Sequence, residues 1–223
     1  MVSRSRALPP PDSPLRGARA VLFDLDGTLL DAVAAHHRVF ARVLAAFAIT
    51  FDDETFRRHY SPNWYAFYER MGLRRDDWPE ADRLWLQFYA EEAPAARDGA
   101  DEVLAAVRAS GRRIGLVTAG DRSRVERDLT RSGWERLFEV VVCAGDVPER
   151  KPHPAPLLHG LDRLGVSPAE AVYVGDSVDD VQMGNAAGVI TLALLGGFSP
   201  REALEREAPR GLLESLRELG GLL

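Results

Sequence analysis

Five short apolar runs limit what this chain can fold into. They are AVLFDL (20–25), IGLVT (114–118), VVVCA (140–144), AVYVG (171–175) and VITLAL (189–194). Each is rich in β-branched residues and lacks polar alternation, the pattern of strands covered on both faces. Helical patterns at 122–132, 154–164 and 178–187 separate the later runs. That is βαβ spacing, and it implies a mostly parallel sheet. The expected fold is α/β, with a Rossmann-like three-layer core.

One interval breaks the alternation. About ninety residues separate the first run from the second, far more than a crossover helix needs. Within it Val33, Phe40, Val43, Leu44 and Phe47 share one helical stripe, and further helical patterns run near 53–60, 63–72 and 80–92. A small α-helical domain over 32–98 is therefore expected, inserted between 19–31 and 99–223 of the core. The connector EAPAARDG (92–99) carries the Pro and Gly of a linker, and a helix near 100–110 returns the chain to the sheet.

The first 18 residues hold three consecutive prolines and scattered arginines, with little to bury, and read as a disordered leader outside the fold. They lack the apolar core of a secretory signal. No stretch approaches the roughly 18 apolar residues of a membrane span. A formal charge of −6 argues against a general nucleic-acid binder. The single cysteine, Cys143, cannot form an internal disulfide and points to a reducing, cytoplasmic setting. It sits in an apolar run, which suits burial in a strand.

In open parallel sheets, ligands gather beyond the carboxyl ends of the strands. Asp24 and Asp26 follow the first run, Thr118 the second, and Asp176 and Asp180 the fourth. Lys151 follows the third by one loop. Of 28 basic residues it is the only lysine. A lysine is a compact point charge where arginine is a wide planar fork. Carboxylates crowded at one rim repel one another unless a hard cation and an ammonium compensate them. Oxygen ligands of this kind favour Mg²⁺. Thr118 and nearby backbone N–H groups suit phosphate oxygens, an aspartate can act as nucleophile, and a second carboxyl two residues on suits proton transfer.

The stretches DLDGTLLD (24–31), VTAG (117–120), Lys151 and GDSVDD (175–180) resemble, in order and spacing, the four motifs of the haloacid dehalogenase superfamily in its phosphatase branch. The resemblance covers about residues 19–195. It implies Asp24 as nucleophile, Asp26 as acid/base, Thr118 as phosphoryl holder and Lys151 as a bridge between Asp24 and the phosphate. It also implies Mg²⁺ held by Asp24, the backbone carbonyl of Asp26 and Asp176, with Asp180 in support; Asp179 is assigned to solvent. The inserted helices resemble the family's α-helical cap.

The implied activity is hydrolysis of a small phosphorylated metabolite through an aspartyl-phosphate, by a monomer or homodimer. Thr118, Ala119, Lys151, His36 and Arg58 are assigned to the substrate. Carbon–halogen dehalogenases resemble the chain but lack an aspartate like Asp26. Phosphonoacetaldehyde hydrolases need a cap lysine, and residues 32–98 contain none. A mutase similar to β-phosphoglucomutase remains an alternative through His36, although such mutases usually carry Val or Ile where Thr28 stands. A non-catalytic phospho-receiver is the alternative from a different class.

Overall fold

The computed structural model describes Leu15 and residues 17–222. Six strands form one sheet: β1 (Ala20–Phe23), β2 (Arg113–Val117), β3 (Val140–Val142), β4 (Ala171–Gly175), β5 (Ile190–Leu194) and β6 (Gly211–Leu213). Their order is β3-β2-β1-β4-β5-β6, and every pair is parallel. The strand period of two divides each run between two cores. Val21, Phe23, Val172 and Val174 face one cluster, while Ala20, Leu22, Ala171 and Tyr173 face the other. This is why the runs carry no polar alternation.

Helices cover both faces. The helices α5 (Ala100–Ala109), α6 (Arg122–Ser132) and α10 (Leu216–Leu222) supply Val103, Leu104, Val125, Leu129 and Leu216 to the first cluster. The helices α7 (Ala155–Leu164) and α8 (Val178–Ala187) supply Leu157, Leu161 and Met183 to the second. A short α9 (Arg201–Arg206) packs Leu204 against Ala193. The expected strands and crossover helices all form, with ends shifted by one or two residues. The elements β6, α9 and α10 were not anticipated. The described part of the proposed leader also departs from expectation: Leu15 and Ala18 are buried in the first cluster. Residues 1–14 and 16 lie outside the described residues.

Between β1 and α5 the chain forms α1 (Val33–Ala45), α2 (Asp53–His59), α3 (Trp64–Arg70), a 3₁₀ turn at Arg75–Asp77 and α4 (Trp78–Tyr89). They enclose their own cluster, built on Val39, Phe40, Phe67, Trp85 and Tyr89. Phe198, from the segment after β5, joins this cluster and stacks on Tyr60 with ring centroids 3.9 Å apart. The helical insertion is thus seated on the core by an aromatic contact. Among the described residues no helix is long and apolar enough to cross a membrane.

Candidate active site

The chain leaves β1 toward β2 and β3, then returns on the other side of β1 to build β4. Such a reversal opens a crevice at the carboxyl ends of the two central strands. Asp24 lies one residue past β1, Thr118 one past β2 and Asp176 one past β4. Gly27 lets the loop after β1 close on β4. Its φ of +83° suits glycine, and a Cβ there would come within 2.3 Å of Asp176 Oδ2. Thr28 then donates to Asp176 Oδ1 at 2.7 Å, and the backbone N–H of Phe198 donates to Oδ2 at 2.8 Å.

Helix α8 places the last motif residue. Ser177 is its N-cap and Asp180 its N3 residue, and the two form a capping box. The Ser177 hydroxyl donates to Asp180 Oδ2 at 2.6 Å. The other oxygen, Oδ1, accepts from Lys151 Nζ at 2.7 Å and from the Tyr173 hydroxyl at 2.8 Å. Lys151 Nζ also donates to Asp24 Oδ1 at 2.6 Å. Among the described residues Asp24 Oδ2 has no hydrogen-bond donor. The helix cap thus fixes Asp180, Asp180 fixes Lys151, and Lys151 meets Asp24 on one oxygen.

Two residues on, Asp26 meets a different cation. Arg124, from the first turn of α6, donates from Nη1 to Asp26 Oδ1 at 2.8 Å and from Nη2 to Oδ2. The same Nη1 reaches Asp128 Oδ2 at 3.1 Å. His36 Nε2 lies 3.4 Å from Asp26 Oδ1, longer than a good hydrogen bond. Asp24, Asp26, His36, Thr118, Arg124 and Asp176 line one cavity, which holds about 10 Å³ of water-accessible space. That is room for about one water.

The charges are unequally balanced. Burial pushes the Asp24 carboxyl well above the usual carboxylate range; Lys151 opposes this, while Asp180, Asp176 and Asp26 add to it. Burial and then Asp180 push Asp176 up to about 7. Burial would also lift Asp26, but Arg124 and His36 overcome it and hold that carboxyl below its ordinary value. Burial would lower Lys151, yet Asp180 and Asp24 hold it above the usual ammonium range.

This imbalance tests the site for a metal. Asp24, Asp176 and Asp180 each offer an oxygen within 4.8 Å of the others, and one lysine pairs with two of them, Asp24 and Asp180. An all-oxygen set with surplus negative charge fits a hard divalent cation. Asp24 and Asp176 are the better donors: Asp24 Oδ2 has no donor among the described residues and each Asp176 oxygen accepts one hydrogen bond, whereas both oxygens of Asp180 accept two or more, from Lys151 and Tyr173 and from Ser177.

Of the residues expected at the site, Asp24, Asp26, Thr118, Ala119, Asp176, Asp180 and His36 line the cavity, and Lys151 stands behind Asp24. Arg58 does not join them. It is exposed on α2 and pairs with Glu54 one helical turn away, so its assignment to the substrate is corrected. Asp179 is not left to solvent either; it accepts a 2.6 Å hydrogen bond from Ser61, between α2 and α3. Sequence reasoning missed Arg124, Tyr173, Ser177 and the Ser61–Asp179 contact.

Fold and rim together define a class, an α/β enzyme whose carboxylates meet where a parallel sheet reverses its strand order. The model of the haloacid dehalogenase-like hydrolase family matches residues 21–194, and the chain belongs to that family, in its phosphatase branch. It is 29% identical to the phosphoglycolate phosphatase of Nitrosococcus oceani, over 94% of this chain and 98% of the relative. It is 30% identical to the pyrophosphatase PpaX of Bacillus pumilus, over 89% and 93% respectively. Among solved structures it resembles CbbY from Rhodobacter sphaeroides in complex with phosphate, with a TM-score of 0.76 and 25% identity over 92% of this chain and 99% of that one.

Proposed function

We propose that this hydrolase removes the phosphoryl group from a small phosphorylated metabolite, with Asp24 as nucleophile, Asp26 as acid/base and Mg²⁺ as cofactor. The observation that carries the reading is the asymmetry at Asp24. Lys151 holds one carboxyl oxygen, and Oδ2 has no donor among the described residues. In its ionised form, which Lys151 favours and a bound cation would favour against burial, Asp24 attacks phosphorus through Oδ2, the bond to the ester oxygen breaks, and an aspartyl-phosphate forms. Asp26 must first take up a proton, against the pull of Arg124 and His36, which it then gives to the departing oxygen; as the carboxylate it later takes one from the water that cleaves the acyl-phosphate.

Lys151 and Thr118 are suited to the equatorial phosphoryl oxygens, Lys151 by charge and Thr118 by its hydroxyl. The Thr118 hydroxyl already accepts from the Gly120 N–H at 3.1 Å, which orients it. Mg²⁺, held by Asp24, Asp176 and the Asp26 carbonyl, would supply charge neutralisation for the phosphoryl group. The helical insertion serves as a cap that excludes water and opens for substrate. The phosphoglycolate and pyrophosphate named for the two relatives are the first substrates to try.

The test is release of phosphate from a panel of phosphorylated metabolites with Mg²⁺, by the wild type and by Asp24→Asn. Turnover should fall by about 10⁴-fold or more, since the amide cannot form the acyl-phosphate. Substantial Mg²⁺-dependent hydrolysis by a folded Asp24→Asn protein would sink the nucleophile assignment.

A further inference from the structure

Arg124 has no part in the mechanism above, yet three elements are built around it. Helix α6 carries it, and the Asp121 carboxylate caps that helix by accepting from the N–H groups of Ser123 and Arg124. The loop after β2 makes room for it: a Cβ on Gly120 would come within 2.0 Å of Arg124 Nη2. Helix α4 covers it with Tyr89, whose ring centroid is 4.9 Å from Cζ and whose hydroxyl lies 3.2 Å from Nη1. The side chain is 2% exposed, it lines the same cavity as Asp24 and Thr118, and its Nε is buried without a hydrogen-bond partner.

Its fork stands in the way of Asp26. An acid/base must turn one oxygen toward the reacting atom, within hydrogen-bond reach. Here Arg124 faces both oxygens, and His36 stands beside Oδ1. Arg124 also has an anchor that does not depend on Asp26, the Asp128 carboxylate one helical turn further on. The fork can therefore leave Asp26 while its charge stays partnered. An arginine fork matches a carboxylate or a phosphoryl group by two parallel N–H···O bonds.

Resting on the phosphatase reading, we infer that the preferred substrate bears a second anion on its leaving group, and that Arg124 passes from Asp26 to that anion, freeing Asp26 for the ester oxygen. The anion is a carboxylate or a second phosphoryl group. A neutral leaving group gives the fork nothing to move to, so Asp26 stays blocked. Arg124 is then a specificity-determining residue that works by exchanging one carboxylate for another anion.

The experiment compares kcat/KM of the wild type and Arg124→Lys, with Mg²⁺, on 2-phosphoglycolate, inorganic pyrophosphate and ethyl phosphate. Lys keeps the charge beside Asp128 and loses the fork. The wild type should prefer phosphoglycolate or pyrophosphate to ethyl phosphate by about 10- to 100-fold, the scale of one charge-assisted pair. Which of the two it prefers tells carboxylate from phosphoryl group. Arg124→Lys should reduce the preference to about threefold or less, chiefly through KM. An equal preference in both proteins, or none in the wild type, overturns the inference while leaving the phosphatase reading intact.

Calorimetry on the wild type supplies a measurement that needs neither turnover nor a folded variant. Phosphonoacetate should bind about tenfold or more tightly than methylphosphonate if the anion is a carboxylate, and phosphonomethylphosphonate should do so if it is a phosphoryl group. Equal affinity for all three overturns the role of Arg124. If the wild type cleaves none of the three esters or anhydrides, and no other phosphorylated metabolite, the phosphatase reading falls, and with it the inference.

Discussion

Two buried ion clusters lie side by side at the rim, and they differ chiefly in the cation. Asp24 and Asp180 share Lys151, whereas Asp26 and Asp128 share Arg124. The ammonium meets Asp24 at one oxygen, and the fork meets Asp26 at both. The two motif aspartates are therefore in opposite electrostatic states. Burial leaves Asp24 well above the ordinary carboxylate range, because Lys151 is shared and other carboxylates crowd it. Asp26 is held below that range by the Arg124 fork, which meets both of its oxygens, and by His36, against the effect of burial. A point cation leaves its partner an oxygen to react with; a fork occupies its partner until something displaces it.

The sharpest way to break this contrast is to remove the carboxyl on the fork's side. Asp26→Asn should slow turnover by roughly 10²–10⁴, the usual contribution of a positioned acid/base. The loss should shrink for p-nitrophenyl phosphate, whose leaving group needs little protonation, and be largest for an alkyl phosphate whose leaving group carries a second anion, such as phosphoglycolate. Equal losses on both would show that Asp26 does not serve the leaving group, and the contrast with Asp24 would lose its chemical meaning.

Exchanging one cation for the other is the next step. Lys151→Arg preserves charge, so turnover would stay near normal if charge alone mattered. Lys151 Nζ, however, reaches Asp24, Asp180 and the Tyr173 hydroxyl within 2.8 Å, in a side chain only 2% exposed. A wider planar head cannot make those three contacts in the same space. We expect a loss of about 10²-fold or more, the scale of one preorganised charge-stabilising group. Near-full activity, measured as kcat/KM on the best substrate, would make the lysine an accident of sequence.

The Lys151 cluster was legible in the sequence and the Arg124 cluster was not, for a physical reason. Asp24, Thr118 and Asp176 each follow an apolar run directly, and strand ends in a parallel sheet converge on one rim. Lys151 stood out as the only lysine. Arg124 lies among Arg122, Arg127 and Arg131 on one helix, where charged residues ordinarily mark a solvated face. Only the bare Gly120 hinted at a large group inserted beside the loop.

Other misses have the same origin in local pattern. Tyr173 hid its hydroxyl inside an apolar strand. Asp179 and Asp180 are chain neighbours, but successive helix positions point about 100° apart, so one meets Ser61 of the insertion and the other Lys151. Arg58 belongs to a seven-residue helix, too short for its stripe to tell the cavity side from the solvent side. The strand β6 has three residues, and its run GLL matches a helix stripe as well as a strand.

The smallest expected effect concerns the surplus negative charge on the lysine side. Asp24 and Asp176 both have carboxyls raised in the folded chain, Asp176 to about 7. A raised carboxyl contributes stability that is fully present below the unfolded carboxylate range and is lost as pH climbs through its folded value. Metal-free protein should therefore lose stability between about pH 4 and just above 7. Cation binding requires ionised carboxylates, so Mg²⁺ should stabilise more at pH 8 than at pH 6. At a free concentration a hundred times Kd the gain is about 2.7 kcal/mol, or roughly 5–10 °C in Tm for a chain of this size. Thermal scans with and without Mg²⁺ at the two pH values check it, and Asp176→Asn should abolish the shift at both. A shift independent of pH, or one that survives in Asp176→Asn, would place the cation away from Asp24 and Asp176 and leave their surplus charge without a partner.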